Sequence, residues 1–231
     1  MLFLLSIYFH LKASINDLRD FYEERIERWA KQFEKHPQIT AMHQFTCWTG
    51  LSVSEAIGVS WEDVSRDGKT IRVNRAYVGS EYKVPKEKSR VRKIDLLPEA
   101  IKWLETQKEF TLENRPIKVK VRLRNNRTFR EDTITPIFEN PDLQASGPWT
   151  ASSLKRAYRN LLKESGVSHR GANHCRHTYA SRLLSSFVPL EMLAQQMGHV
   201  SNAMIRKFYG RWIEEETPDT AKIITELLNR K

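Results

Sequence analysis

The hydrophobic period of this chain changes twice, and that double switch limits the possible folds more than any other feature. From Ser14 onward, apolar residues fall at Ile15, Leu18, Phe21 or Tyr22, Ile26, Trp29 and Phe33. That is helical spacing, with Ser14 or Asn16 available as a cap. "QITAMHQFTCW" predicts a second, mostly buried helix that stops at Thr49-Gly50, and Ser52 or Ser54 can cap a short third one. The period then drops to two. "KTIRVNRAYV", "EYKVPK" and "VRKIDLL" predict three short strands with polar turns between them. Pro98 opens the helix "PEAIKWLETQKEF", at the position where proline is tolerated. Pro116, Pro136, Pro141 and Pro148 punctuate the middle of the chain, which is expected to hold two strands and a long loop. The helical period returns in "TASSLKRAYRNLLKESG", with Thr150 as cap and Gly166 as stop. Three more helices are expected, over about 173–185, 189–197 and 202–211, and a short amphipathic one in "TPDTAKIITELLNRK". Helices, a small sheet, then helices make a mixed α+β fold, mainly α.

The 231 residues suit one large domain with enough chain for a substantial core. Charge narrows the function. Thirty-eight Lys and Arg face 28 Asp and Glu, for a net charge of +10. The plain alternative is a merely basic soluble protein. The distribution argues otherwise: "KVPKEKSRVRK" and "IKVKVRLRNNRTFR" combine dense basic residues with a β-like alternation, so that one face of each strand would be cationic. A two-dimensional basic surface suits a phosphate backbone better than a small anion. The two cysteines, Cys47 and Cys175, make neither a disulfide framework nor a zinc site, and fit a reducing compartment. The opening "MLFLLSIYFHLKAS" is too short to span a membrane and lacks the positive start of a signal peptide. It is expected to be a buried or partner-facing segment, or the scar of a shortened chain. The sequence contains no internal repeat, low-complexity tract or glycine-rich phosphate loop.

Several separated pieces then matter together. "HCRHTYASRLL" carries Arg176 inside a helix, with His174 and His177 beside it as further candidates to meet an anion. "MGHVS" places His199 at a helix junction, and Tyr209 follows ten residues later between Lys207 and Arg211. "PKEKSRVRKIDL" offers Lys86 at the tip of an expected hairpin, with Lys83 and Lys88 close by. Singly, each has a plain reading: an amphipathic surface tyrosine, an ion-paired helix arginine, a capping histidine, a solvated lysine.

In order, these segments resemble the catalytic domain of the tyrosine recombinases, the phage-integrase family. The family's R-H-T matches Arg176-His177-Thr178, and its L-G-H matches Met197-Gly198-His199. Its nucleophile matches Tyr209. Its K-x-K-S-x-x-R-x-I-x-L lysine matches Lys86. Its T-G-x-R-x-x-E and W-x-D-V/I segments match "TGLSVSE" and "WEDV". The likeness runs from about Ile15 to Trp212.

The resemblance implies the family's catalytic fold with a small antiparallel β-sheet. It divides the chain into an apolar segment 1–14, a catalytic domain 15–213 and a C-terminal helix 214–231 that could dock on a neighbouring protomer. It implies site-specific DNA integration or excision through a 3′-phosphotyrosyl intermediate, without metal or nucleotide cofactor, because the bond energy stays in the covalent intermediate. Tyr209 would attack phosphorus, Arg176 and His199 would bind the phosphoryl oxygens, and Lys86 would protonate the leaving 5′-oxygen. Cationic neighbours would help a tyrosine ionise below its usual pKa of about 10. The implied partners are double-stranded DNA and three further copies in a tetramer, with an accessory DNA-bending protein as a further candidate. The implied setting is the cytoplasm of a bacterium, on nucleoid DNA, with the gene on a phage or other mobile element.

Two positions depart from the family pattern. Ser52 stands where the first catalytic arginine is expected, and it can supply neither that charge nor that reach. Asn173 stands where histidine or lysine is usual. His174 is one place off, a rotation of about 100° on a helix, and does not simply substitute. The family's N-terminal DNA-gripping domain is also not matched. A second expectation therefore stands beside the first: a DNA-binding integrase remnant that forms no covalent adduct. A nuclease or topoisomerase sharing the tyrosine chemistry is a third, which relaxation of plasmid without a specific site would favour.

Overall fold

The computed structural model describes residues 27–28, 30–141, 147–166, 171, 173–186 and 188–209. The expected first helix falls mostly outside these residues. The apolar N-terminal segment and the C-terminal helix fall outside them entirely.

Seven α-helices lie within the described residues: α1 (Pro37–Thr49), α2 (Val53–Gly58), α3 (Pro98–Thr111), α4 (Ala151–Glu164), α5 (His174–Ser185), α6 (Leu190–Met197) and α7 (Asn202–Tyr209). Six strands accompany them: β1 (Thr70–Val73), β2 (Ala76–Val78), β3 (Glu81–Lys83), β4 (Arg92–Asp95), β5 (Ile117–Arg122) and β6 (Phe129–Ile134). Helix α1 is the hub. It is buried from Ile39 to Cys47 on every face and packs against α3 and α5. A helix buried all round belongs inside a core, here with Thr40, His43, Gln44 and Thr46 among its buried residues. Phe45 meets Phe138 with ring centroids 5.5 Å apart, and Leu104, Trp149 and Leu161 close the same core. Pro98 and Thr150 begin α3 and α4 as expected, Thr150 through a capping box with Ser153.

The strands differ from the expected three in one instructive way. "KTIRVNRAYV" breaks at Asn74-Arg75 into β1 and β2. Arg75 turns inward, 4% exposed, and pairs with Asp63 and, at 3.1 Å, with Asp132 on β6. A guanidinium so placed satisfies buried carboxylates instead of extending a ladder. Strands β1 and β4 form one antiparallel pair, and the second sheet runs β2-β3-β5-β6. Its β3–β5 pairing is parallel, where an antiparallel sheet was expected; its other pairings are antiparallel. Along β5 the expected alternation holds, with Lys118 and Lys120 exposed and Val119 and Val121 buried.

The hairpin expected to carry Lys86 does not form. Strand β3 pairs with β2 and β5, whereas β4 pairs with β1. Lys86 instead lies on the exposed link between β3 and β4. Pro85 has no N–H with which to prolong β3. Its carbonyl accepts from Arg124 Nε at 3.0 Å, which ties the link to the turn of the β5–β6 hairpin.

Candidate functional site

The site lies where the N-terminus of α2 meets the ends of α5, α6 and α7. Helix α1 ends at Gly50 in the left-handed conformation, φ 66°. A Cβ there would also collide with the Tyr179 ring. Glycine therefore serves both the turn and the close approach of α5. The turn aims the Gly50 carbonyl at Arg176, whose Nη1 donates to it at 2.6 Å.

Ser52 caps α2. Its hydroxyl accepts from the Glu55 N–H, and the Glu55 carboxylate accepts in return from the Ser52 N–H at 2.8 Å and hydroxyl at 2.9 Å. Asn173, the other departure from the family pattern, sits beside it and accepts from the Val53 N–H at 3.2 Å. Both therefore act in closing the start of α2.

Glu55 is the buried anion of the site. Its carboxylate takes Arg92 on both oxygens, Nη1 at 2.8 Å and Nη2 at 3.4 Å, with Arg176 Nη1 3.8 Å away. Burial alone would raise its pKa. The charges of Arg92 and Arg176 and the Ser52 hydrogen bond outweigh burial and hold it below the usual carboxylate value.

Arg176 reaches from α5 across to the end of α6. Its Nη2 donates to the Met197 carbonyl and also approaches His199 Nε2 at 2.9 Å. Gly198 makes the intervening turn at φ 69°. A Cβ there would meet Arg92 Nη1 at 2.9 Å and the Arg90 Cα at 3.1 Å. The glycine of the Gly-His motif is thus needed for conformation and for the arginine stem that crosses it. Burial, with Arg92 and Arg90 working against the attraction of Glu55, lowers the Arg176 pKa to about 10; the side chain is still a cation near neutrality.

Burial and the positive charges of Arg176, Arg90 and Arg92 push the His199 pKa down to about 4. A guanidinium can only donate, so His199 Nε2 accepts and its proton resides on Nδ1. That Nδ1 is buried and has no hydrogen-bond partner among the described residues.

Tyr209 is buried, 4% exposed, among Tyr179, Leu193, Met197 and Ile205. Its hydroxyl lies 2.8 Å from His177 Nδ1. His177 is exposed as a residue, but that side of its ring packs on the tyrosine. Desolvation there, and then the Arg176 charge, lower its pKa and favour the neutral base.

The structure brings Arg176, His199 and Tyr209 together, with Ser52 and Asn173 beside them. Lys86 is not joined to them by any recorded contact. His177 emerges as the partner of the tyrosine. The signal was present in the sequence, since His177 neighbours Arg176, but only the fold shows which of the flanking histidines meets Tyr209. His174 faces His177 instead, ring centroids 5.5 Å apart. The described residues contain no cluster of three or more His, Cys, Asp and Glu fit for a metal, and no helix long and apolar enough to cross a membrane. Chemically, the arrangement combines a cationic pocket for an oxyanion with a phenol held against a neutral imidazole.

Residues 18–214 match the phage integrase family. IntQ of Escherichia coli strain K12, named as a defective protein, is 27% identical over 174 residues, covering 73% of this chain and 44% of that protein. The prophage integrase IntR of the same strain is 24% identical over 189 residues, 80% of this chain and 46% of its own. The chain thus spans about half the length of these relatives. The Tn1549 transposon integrase, solved in complex with transposon right end DNA, superposes with a TM-score of 0.63 at 22% identity, over 87% of this chain and 63% of the other.

Proposed function

This chain belongs to the phage integrase family, and from that premise we propose that it is the catalytic part of a site-specific recombinase that cuts and rejoins double-stranded DNA through Tyr209. The observation that carries this is the meeting of Arg176 with His199, and of His177 with Tyr209, at the ends of three short helices.

In the proposed step the Tyr209 oxygen attacks a backbone phosphorus, and its proton passes to His177 Nδ1. The bond from phosphorus to the 5′-oxygen breaks, leaving a 3′-phosphotyrosyl ester. The departing 5′-oxygen takes a proton from Lys86 and becomes a hydroxyl. Arg176 and His199 hold the non-bridging oxygens, where charge grows in the transition state. DNA must therefore draw Arg176 away from the Gly50 and Met197 carbonyls, free an N–H of His199 and bring Lys86 in. A 5′-hydroxyl from a second strand reverses the sequence: it returns its proton to Lys86, and the tyrosine oxygen recovers its own from His177.

The same premise supports the remaining assignments: a catalytic domain over 15–213 behind the apolar segment 1–14, a tetramer on two duplexes, and docking of residues 214–231 on a neighbouring copy. It also supports an accessory DNA-bending protein and action on nucleoid DNA in the cytoplasm. A non-catalytic DNA-binding remnant is favoured by one observation, that Ser52 is committed to a helix cap and brings no charge. The name of IntQ fits that alternative. End-labelled DNA from the flanks of the gene decides. A covalent protein–DNA band that Tyr209→Phe abolishes establishes the recombinase. A band that needs Ser52→Arg means a scaffold whose chemistry was lost at one position. No band from any variant, with salt-dependent binding retained, leaves the DNA-binding remnant.

A further inference from the structure

We propose that Arg90 forms, with Arg176 and the edge of His199, an anion site that takes one phosphate group of the DNA backbone, supplying the second guanidinium that Ser52 cannot. The identity of the ligand as DNA rests on the recombinase function above; the anion site itself does not.

Three cationic side chains compete for this role, and the structure separates them. Arg92 is the most buried, but it is already committed. It donates to Glu55 on both oxygens, to the Gln196 carbonyl at 2.7 Å and to the Arg90 carbonyl at 3.0 Å. Lys86 stands on an exposed link with no recorded contact to the pocket. Arg90 differs from both. It ends the short 3₁₀ turn Lys88–Arg90, which is fixed against the site. Ser89 Oγ donates to the Gly198 carbonyl at 3.3 Å, and the Arg90 Cα lies 3.1 Å from where a Gly198 Cβ would be. The turn is thus seated on the residue that precedes His199. The side chain is half-buried, and among the described residues its guanidinium forms no hydrogen bond or ion pair.

Charge balance points the same way. Arg90 and Arg92 each act on Arg176, and all three act on His199, while the nearby anion, Glu55, is paired with Arg92. The Arg90 charge is felt at His199 more strongly than that of Arg92. Like charges held this close repel until an anion arrives between them. A phosphate does this well, because a guanidinium fork can grip two of its oxygens.

The test uses the full chain and inorganic phosphate as the probe. His199 ring resonances are followed by NMR as phosphate is added to the unaltered protein, Arg90→Ala, Arg90→Lys and, as a control on the β5–β6 turn, Arg127→Ala. Among the described residues neither Arg90 nor Arg127 makes a side-chain bond, so all four should melt alike. We expect saturable shifts in the unaltered protein and the control. Arg90→Ala should bind phosphate about tenfold or more weakly, as for a lost charged hydrogen bond, and Arg90→Lys should fall between. Equal phosphate affinity in Arg90→Ala and the unaltered protein overturns the proposal. So does the absence of any phosphate effect at His199. The covalent-band assay is a separate readout: a protein that forms no band but binds phosphate through Arg90 keeps this site and loses the recombinase function.

Discussion

Helices α5 to α7 bring Arg176, His199, His177 and Tyr209 into two hydrogen-bonded pairs, whereas the segment from Gly50 to Arg92 meets the same pocket with a capped helix and a buried ion pair. The first side holds its polar groups less completely: Nδ1 of His199 is buried without a partner among the described residues, and the phenol rests on a neutral base. On the second side, Glu55, Ser52 and Arg92 satisfy one another, and Asn173 reaches across to the Val53 N–H. The difference teaches that a site can lose a charged residue at one position without collapsing. Ser52 at the start of α2 makes an N-cap, and the carboxylate that an arginine there could have met is taken by Arg92.

The largest effect should come from breaking that internal satisfaction. In the Arg92–Glu55 pair the side chains are 4% and 2% exposed. Arg92→Leu leaves the buried Glu55 carboxylate with its Ser52 hydrogen bonds and Arg176 3.8 Å away but without its close ion pair, and should cost about 3–5 kcal/mol, the usual penalty for half of a buried pair. Urea unfolding measures it. Adding Glu55→Gln should recover a large part of the loss. If Arg92→Leu unfolds like the unaltered protein, the scaffold side is not held by this pair and the contrast fails.

Next comes the turn that joins the two sides. Gly198→Ala puts a Cβ against Arg92 Nη1 and the Arg90 Cα at a left-handed residue. We expect about 1–3 kcal/mol of destabilisation, from strain at an unfavourable φ. The covalent band should weaken more than the melting temperature does, because the same turn aims His199. A variant that melts lower but cleaves normally would show that the turn serves packing alone.

Much of this was legible in the sequence, and the parts that were not have physical reasons. The order of helices and strands followed from the switch in period, and the Pro98, Thr150 and Ser52 caps from local chemistry. Order and spacing single out Arg176, His199 and Tyr209 as candidates, and the fold brings them together around the ends of three helices. Arg75 hid the break between β1 and β2, because a residue that reads as solvated turned out to be an interior ion partner. Lys86 was placed on a hairpin because strand alternation ran on either side of it; which strand pairs with which is a tertiary choice, and Pro85 with Arg124 decided it. Arg90 and Arg92 are two apart and look alike in sequence, yet Arg92 is buried on Glu55 and Arg90 is unpaired among the described residues.

Ser52 itself sharpens the contrast with a smaller effect. Ser52→Ala removes the cap and should cost about 1 kcal/mol. Ser52→Arg loses the same cap, so it should be destabilised by a similar amount even if it strengthens the covalent band. A Ser52→Arg protein that is more stable than the original would mean that Glu55 can serve both arginines, and that the cap matters little.

The smallest effect is the dependence on pH, because His199 is only half-buried and solvent screens it. Its pKa is about 4 in the folded protein against an ordinary 6.5. Above 6.5 the ring is neutral in both states and contributes nothing. As pH falls from 6.5 towards 4, the unfolded chain binds a proton that the folded one refuses, so stability declines. Glu55, lowered from 4.5, loses its contribution only below that value, outside most of this window. His177 is lowered as well and adds to the same decline. His199→Gln isolates the His199 part, since the amide oxygen can still accept from Arg176. Melting temperatures of the two proteins should converge as pH drops from 6.5 towards 4.5, the unaltered protein losing more. Parallel curves would mean that the Arg176–His199 bond does not hold the ring neutral, and that the helical side of the pocket has no stored preference for an incoming anion.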